Sequence, residues 1–298
     1  MKVAVCVCTY KRPQYLDVLL TALSKQKNIN NANLVVIVVD NDVNKTAFDT
    51  VAKHREFNIL DIRYHVEPQK GISYARNKCV EKALELNVEN VAFIDDDEIP
   101  CEIWLSSLLE TKYESRADII GGPVISQFTE EIPDWILKGG FFNRPNYICI
   151  TGNSLISSSV LKKFKKPFSE KYALSGGEDT HFFLSIKKMG CKTAWSKNAI
   201  VNEVVPVSRT NVKWILKRAF RTGCTASMIE IDLNGRKVIF KRLIIASVRF
   251  LQGIFTLIIS FLGKHKFVKS LWYFMKGFGV LYGIMGGQYK EYHRVHGK

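Results

Sequence analysis

Short apolar runs alternate along the chain with segments whose apolar residues recur at helical spacing. The runs are residues 3–8, 34–39, 62–66 and 91–94. Residues 15–26 carry four leucines at helical spacing, and residues 71–86 begin with a glycine, so both segments are predicted to be helices. Continuous apolar strands that alternate with helices indicate an α/β fold with a mainly parallel central sheet covered on both faces.

Two of the apolar runs end in acidic residues. Asp40 follows the second run, and the consecutive aspartates Asp95, Asp96 and Asp97 follow the fourth. In open parallel sheets, ligands bind beyond the carboxyl ends of the strands. A hard divalent cation, Mg²⁺ or Mn²⁺, would offset the repulsion among adjacent carboxylates and share oxygen ligands with substrate phosphates. A solvated acidic turn is the alternative for the triplet alone, but two acidic strand ends favour a binding site.

The middle segment, residues 118–175, is less regular. It contains glycine pairs and several aromatic residues, among them Trp135. Two interpretations stay open: loops filled by aromatic side chains, or a wall that binds an acceptor substrate.

Two apolar stretches, residues 243–262 and 267–285, lie near the C-terminus. Cations recur in and beside them at a spacing of seven: Arg242 with Arg249, and Lys269 with Lys276. A basic stripe on an otherwise apolar helix is typical of a helix in the membrane interface. A membrane-spanning hairpin is disfavoured because a cation at the bilayer centre costs about 2.5–3.5 kcal/mol on insertion scales. A soluble helical hairpin packed on the domain is the other alternative.

The formal net charge of +15 belongs almost entirely to the C-terminal part, since residues 211–298 carry a net charge of +13. This excess predicts an anionic partner. The basic residues are interleaved with long apolar stretches, so an anionic membrane surface is favoured over nucleic acid. The seven cysteines are odd in number and form no CxxC pair, and the N-terminal apolar run is too short for a signal peptide. We therefore expect a protein with reduced thiols at the cytoplasmic face of the plasma (inner) membrane.

Five short motifs, in order along the chain, resemble those of the family 2 glycosyltransferases of GT-A fold. They are residues 8–13 (CTYKRP), 39–41 (VDN), 71–77 (GISYARN), 93–97 (FIDDD) and 176–179 (GGED). The resemblance covers about residues 1–225, which we assign to a single Rossmann-like GT-A domain, and leaves residues 226–298 as a basic helical region. It implies transfer of a sugar from a nucleotide diphosphate, with inversion at the anomeric carbon.

The resemblance also implies roles for single residues. The donor-site residues and their implied roles are Thr9, Tyr10 and Arg12 in the nucleotide pocket, Asp40 on the base, Arg76 near the base or diphosphate, Asp95 on the ribose and Asp96 without a defined role. Asp97 would bind the metal. Asp179 would be the catalytic base, with Glu178 supporting it or touching the acceptor. Both acids have a structural alternative as helix N-terminal residues.

One position departs from the family pattern. Many relatives carry a histidine some twenty residues beyond the base, whereas this chain has Glu203 there. Either Glu203 approaches the metal or diphosphate, or the metal has fewer protein ligands. Arg209, Arg218 and Arg221 are candidates for contacting the diphosphate or an acceptor phosphate, with a solvated basic helix face as the alternative.

These observations predict a metal-dependent transferase. Its donor would be a nucleotide-diphosphate sugar, with UDP favoured, and its acceptor a saccharide, lipid-linked in cell-surface polysaccharide synthesis. Transfer to a polyprenyl phosphate is an alternative within the family. A sugar-nucleotide pyrophosphorylase is disfavoured because residues 8–13 contain no glycine for a phosphate loop. A basic membrane- or nucleic-acid-binding protein is the non-enzymatic alternative.

Overall fold

The structure is a computed structural model that describes residues 1–29, 32–143 and 150–289. The strands are β1 Lys2–Thr9, β2 Asn33–Asp40, β3 Asp61–Val66, β4 Asn90–Phe93, β5 Glu98–Pro100, β6 Ile119–Gly121, β7 Val124–Phe128, β8 Ser154–Ser157, β9 Thr193–Trp195 and β10 Val201–Val205. The α-helices are α1 Pro13–Leu23, α2 Phe48–Glu56, α3 Ile72–Glu85, α4 Trp104–Ser115, α5 Asp134–Gly139, α6 Ser158–Leu161, α7 Glu178–Lys188, α8 Val212–Asn234, α9 Ile239–Ile258 and α10 Lys264–Ile284.

In the described part of the chain, seven strands form a central sheet in the order β3-β2-β1-β4-β8-β6-β9. The first four are mutually parallel, β8 runs antiparallel to β4 and β6, and β9 is parallel to β6. A smaller sheet, β5-β10-β7, lies beside it. The mainly parallel α/β sheet predicted from the apolar runs is confirmed.

The central sheet is covered on both faces, as the unbroken apolar strands predicted. On one face, the four leucines of α1 are 0–1% exposed and pack with Trp104 of α4. On the other face, Cys79 of α3 packs with Phe168 and with Phe182 of α7. Burying one such leucine contributes about 1.5–3 kcal/mol, so these two layers account for much of the stability of the domain.

The segment 118–175 is more regular than its sequence indicates, because β6 and β8 complete the central sheet within it. These strands have three and four residues, too few to show an apolar periodicity. The sequence expectation of an irregular segment is therefore wrong at these two places.

The long helix α8 and the helix α10 pack with their backbones in direct contact. A Cβ atom on Gly279 of α10 would lie 2.0 Å from the carbonyl oxygen of Phe220, and one on Gly283 would lie 2.4 Å from that of Cys224. Only glycine permits this approach. Residue 225, at which the sequence divides the chain, lies within α8, so this helix belongs to both predicted parts.

The basic stripe predicted for the C-terminal helices does not form an outer face. Arg242 is 6% exposed, and Lys269 and Lys276 both stack on Trp272, at 4.8 and 4.6 Å from its ring centroid. The cations thus lie between the helices, because α9 packs on α10 through its polar side. Among the described residues, no helix has the length and apolar character needed to span a membrane.

Candidate active site

A cavity of about 260 Å³ opens at the carboxyl edge of the central sheet, beyond the ends of β1 and β4. Most of the predicted site residues line it: Thr9, Tyr10, Arg12, Arg76, Asp95, Asp96, Asp97, Glu203, Arg209, Arg218 and Arg221. Asp40, Trp135, Glu178 and Asp179 are not part of its lining. The cavity therefore gathers residues from the loops after β1 and β4 with residues of α3, β10 and α8.

Asp96 is the most deeply buried of the three consecutive aspartates, at 1% exposure. Its carboxylate accepts a hydrogen bond from the Thr9 hydroxyl at 2.8 Å and pairs with Arg12 at 2.6 Å. Burial raises the pKa of Asp96, while Arg12 opposes this rise. Asp96 therefore joins the loop after β1 to the loop after β4.

Asp97 lies between two arginines. Its carboxylate is 3.0 Å from Arg12 and 3.6 Å from Arg209, and Arg209 is also 3.7 Å from the carboxylate of Glu203. The pairing of β10 with β5 places Glu203 here, and the amide of Val204 donates to the carbonyl oxygen of Asp97 at 3.0 Å. Burial raises the pKa of Asp97, and the neighbouring Arg12 and Arg209 oppose this rise.

Arg76 of α3 links Asp95, the first residue of the aspartate triplet, to α7. Its guanidinium pairs with Asp95 at 2.9 Å and with Glu178. Glu178 is 2% exposed, and burial raises its pKa to about 7, against the effect of Arg76. Gly71, with a φ of +143°, precedes α3, and a Cβ on it would lie 2.8 Å from that of Ala173. The backbone turn that positions Arg76 therefore requires glycine.

The two acids that begin α7 have different surroundings. Glu178 points inward to Arg76. Asp179 is half-buried, and within the described ranges its carboxylate accepts hydrogen bonds from the amide and hydroxyl of its neighbour Thr180 alone, at 2.6 and 3.2 Å. Gly177, with a φ of +95°, precedes them and would clash with Thr225 of α8 if it carried a Cβ. Of the two carboxylates, the one on Asp179 is therefore the more accessible to solvent.

Asp40 is fully buried within its own loop region. Its carboxylate accepts hydrogen bonds from the amides of Asp42 and Ala47, at 3.1 and 2.8 Å, and from the Tyr64 hydroxyl at 3.0 Å. Burial raises its pKa. The neighbouring Asn41 lines the cavity instead. The contact of Asp40 with a nucleotide base stays a prediction, and in this structure its carboxylate stabilises the loop.

Trp135 lies on α5 and does not line the cavity, although it packs in one cluster with the lining residues Phe142 and Trp214. Its ring contacts Phe141 at 6.0 Å between centroids, and the ammonium of Lys264 lies 5.0 Å from its centroid. The structure therefore places Trp135 against the start of α10. Its predicted contact with an acceptor is not tested by this position.

One wall of the cavity is aromatic. Phe142 belongs to the segment 118–175, for which the sequence left an acceptor-binding wall open, whereas the sequence interpretation missed its partner Trp214. Phe142 and Trp214 lie stacked at 5.7 Å between centroids with an interplanar angle of 3°, and the guanidinium of Arg218 lies within 5.8 Å of both rings. All three line the cavity, as does Lys70. The one signal in the sequence was a tryptophan among basic residues at the start of α8. Stacked rings at a nucleotide-sized cavity suit a planar base or a sugar ring.

The residues present fit a divalent cation whose ligands come partly from the protein and partly from a substrate. Asp97 and the half-exposed Asp95 present carboxylate oxygens to the cavity, with Glu203 beside them. Such oxygens are the ligands that Mg²⁺ and Mn²⁺ prefer. Among the described residues, no group of three or more His, Cys, Asp or Glu side chains forms a complete protein site. Substrate phosphates would have to supply the remaining ligands.

The mainly parallel sheet with this cavity at its carboxyl edge places the chain in the class of GT-A folds. TarS of S. aureus, residues 1–349 in complex with UDP, aligns with a TM-score of 0.56 and 18% identity over 100% of this chain and 95% of that chain. The mannosyltransferase PcManGT from Pyrobaculum calidifontis, in complex with GDP-Man and Mn²⁺, aligns with a TM-score of 0.64 and 14% identity over 95% of this chain and 87% of that chain. At these identities the likeness shows the fold alone.

Sequence comparison identifies the family. The model of glycosyl transferase family 2 matches residues 4–180. The succinoglycan biosynthesis protein ExoM of Rhizobium meliloti (strain 1021) is 34% identical over 229 residues, which are 74% of this chain and 72% of that protein. The glucosyl-dolichyl phosphate glucuronosyltransferase of Haloferax volcanii is 26% identical over 259 residues, 78% of each chain. The chain belongs to glycosyl transferase family 2, which confirms the resemblance of its motifs.

Proposed function

We propose that the protein is an inverting glycosyltransferase that moves a sugar from a nucleoside diphosphate, with UDP favoured, to a hydroxyl of a saccharide acceptor. One observation carries this proposal: the cavity brings the carboxylates of Asp95 and Asp97 together with Arg12, Arg76 and Arg209. The arginines at this sheet edge suit a bound diphosphate, because they would neutralise part of its negative charge. The carboxylates suit a divalent cation bound to the same diphosphate.

Each reactive group of the proposed transfer has a candidate residue. Asp179 would accept the proton of the attacking hydroxyl, since its carboxylate is accessible and accepts its hydrogen bonds from Thr180 of its own helix turn. Arg209, Arg218 and Arg221 line the cavity and would stabilise the charge that develops on the leaving diphosphate. A divalent cation, Mn²⁺ or Mg²⁺, would be held by Asp97 and would supply further stabilisation of that charge. One displacement gives inversion and needs no enzyme nucleophile.

The relatives support the choice of substrates. ExoM acts in succinoglycan biosynthesis by its name, and TarS has also been solved with UDP-GlcNAc. PcManGT binds GDP-Man with Mn²⁺. We therefore propose a role in polysaccharide biosynthesis at the cytoplasmic face of the plasma membrane, with an acceptor linked to lipid.

The proposal is tested by measuring nucleoside diphosphate release from a panel of nucleotide sugars, with and without EDTA, using membrane lipid extract as the acceptor. We expect release with a UDP-sugar, loss of release with EDTA, and recovery on adding Mn²⁺ or Mg²⁺.

Two substitutions then test the proposed roles. Asp179→Asn should lower kcat by about 10²–10⁴-fold with little change in donor affinity, because it removes the base and keeps the shape. Asp97→Ala should weaken the dependence on metal as well. The matched control is Asp134→Asn, an exposed helix N-terminal acid that does not line the cavity. Full activity of the Asp179 variant would refute the mechanism.

Transfer to a polyprenyl phosphate is the second candidate, supported by the dolichyl phosphate in the name of the Haloferax relative. It is distinguished by the product. A phosphate acceptor gives a lipid-linked sugar phosphodiester that is labile to mild acid, whereas a saccharide acceptor gives a longer glycan on the same lipid.

A further inference from the structure

The helix α9 turns its apolar side outward. Its outer face carries Phe240, Ile244, Val248, Leu251, Phe255 and Ile258, each 44–74% exposed. Its inner face carries Arg242, Ala246, Gly253 and Thr256, all buried. A helix on a water-facing surface shows the opposite arrangement. A continuous exposed apolar stripe of this length marks a surface that is covered by a partner or by a membrane.

The cations on the inner side of this helix pair are not balanced by acids. Lys269 and Lys276 lie over Trp272, and Arg249 lies 5.9 Å from the centroid of Tyr273. Among the described residues, the one carboxylate that pairs with this group is Glu230, 3.7 Å from Arg242. Burial and the neighbouring cations lower the pKa of Lys276 to about 8 and lower that of Lys269 as well. An added anion would therefore be stabilised at this place.

A cavity of about 330 Å³ opens between α5, α9 and α10 beside these cations. Its polar lining includes Lys138, His265, Lys266 and Lys269, and contains no carboxylate among the described residues. Lys138 is paired with Asp134 at 2.9 Å, whereas the Lys269 ammonium donates to the carbonyl oxygen of Gly139. The cavity is thus basic, and it is the right size for a phosphate-bearing headgroup.

The apolar lining of the same cavity continues into the exposed stripe. Phe255 and Ile259 line the cavity, and Phe261 and Leu262 follow at the end of the helix, 81% and 60% exposed. A ligand with a phosphate in the cavity would therefore have an apolar surface for its chain. This combination of charge and apolarity is that of an anionic lipid.

We propose that the outer face of α9 lies in the headgroup region of a membrane and that the cavity between α5, α9 and α10 binds the phosphate of an anionic lipid. Exposed cations flank the apolar face at both ends, Arg236 and Lys237 before α9 and Lys264 after it. Such flanking cations complement an anionic lipid surface, which favours a membrane over a protein partner. The inference deepens the proposed function, because it names the surface through which the enzyme reaches a lipid-linked acceptor.

Co-sedimentation of the full chain with vesicles tests the headgroup site. We expect binding to phosphatidylcholine vesicles that contain phosphatidylglycerol and weak binding to phosphatidylcholine alone. The double variant K266Q/K269Q should weaken binding to the anionic vesicles by about 25-fold, at about fivefold per lost cation. The matched control, K163Q/K165Q, removes two exposed lysines of a distant loop and should lose much less. Equal losses in the two double variants would overturn the headgroup site.

The apolar face is tested separately. L251S/I258S, which alters exposed residues of α9 outside the cavity, should abolish binding to both kinds of vesicle. F57S/I59S, which alters exposed apolar residues elsewhere, should bind as wild type. Wild-type binding by L251S/I258S would overturn the membrane face.

A soluble-ligand arm separates a lipid from a free phosphate. In calorimetric titrations with inorganic phosphate, we expect the wild-type protein and K266Q/K269Q to give the same result, because neither should bind phosphate in the cavity. The lipid assignment would be overturned if the wild type bound phosphate, K266Q/K269Q did not, and the wild type bound both kinds of vesicle equally well. Vesicle binding requires no sugar transfer, and donor hydrolysis should be unchanged in K266Q/K269Q, so failure of this inference is distinct from failure of the proposed function.

Discussion

Replacing Arg76 by methionine should destabilise the protein, and the loss should be larger at alkaline than at acidic pH. Arg76 is the cation that pairs with the buried carboxylate of Glu178 and with Asp95. Methionine keeps the apolar stem but removes the charge. The variant therefore leaves two carboxylates without their partner.

The magnitude follows from the exposure of each carboxylate. The side chain of Asp95 is 40% exposed, so its pair with Arg76 is worth about 0.2–1 kcal/mol, as for a surface ion pair. Glu178 is 2% exposed, and removing one partner of a buried ion pair costs about 3–5 kcal/mol. The buried carboxyl of the variant can instead take up a proton, at a cost of about 1.4 kcal/mol for each pH unit above the wild-type pKa. We therefore expect a loss of about 2–3 kcal/mol at about pH 8, the larger share of it from Glu178.

The sign of the pH dependence follows from the raised pKa of Glu178. Burial raises this pKa to about 7, above the ordinary value of 4.5, and loss of Arg76 raises it further. In the native state Glu178 then keeps its proton at pH values where the same carboxyl has released it in the unfolded chain. The free energy of unfolding therefore falls as the pH rises between the unfolded and the native pKa of Glu178. Near about pH 5 a protonated Glu178 needs no cation, and the loss should shrink to about 1–2 kcal/mol.

Urea unfolding followed by tryptophan fluorescence, at both pH values, measures these free energies of unfolding. In the Arg76→Met background, Glu178→Gln should recover most of the loss at alkaline pH, whereas Asp95→Asn should recover less than about 1 kcal/mol. A loss that is equal at the two pH values, or a larger rescue by Asp95→Asn, would show that Glu178 does not depend on Arg76 as argued.

Two further predictions concern the metal and the helix packing. Arg209→Gln should tighten Mn²⁺ binding by about tenfold, because the guanidinium lies 3.6 Å from the carboxylate of Asp97 and competes with the metal for it. Free Mn²⁺ is measured by electron paramagnetic resonance, and unchanged or weaker binding would contradict this competition. Gly279→Ala should lower the free energy of unfolding by about 1–3 kcal/mol or more, because the added Cβ would lie 2.0 Å from the Phe220 carbonyl oxygen. Thermal unfolding measures this loss, with Ser247→Ala on the exposed side of α9 as the control. Equal Tm values for the two variants would argue against the direct contact between α8 and α10.

The outline of the sheet was accessible from local sequence because its strands are buried on both faces. A parallel strand in such a sheet is an unbroken apolar run, and the polar residue that ends it marks the edge where ligands bind. This is why Thr9 and the aspartate triplet were found together with their places in the fold. The short strands β6 and β8 carry too few residues for such a run, and they were missed.

The roles within the site were less accessible, since equal residue types can meet different partners. Glu178 and Asp179 are neighbours in sequence, yet one faces Arg76 and the other faces solvent. Asp40 ends a strand as the triplet does, but its carboxylate is used by its own loop and by Tyr64. Such differences depend on contacts between segments far apart in the chain.

The sequence by itself determined the α/β class, the acidic edge of the sheet, the family and the basic, apolar character of the C-terminal helices. These are properties of local pattern and composition. Only the tertiary structure decided that Glu203 on β10 lies beside Asp97, that Phe142 and Trp214 wall the cavity, and that α9 exposes its apolar side. Sequence periodicity defines the two sides of a helix, but which side is buried depends on packing. Here the glycines of α10 allow that helix to pack closely against α8, and α9 packs on α10 through the polar side of α9.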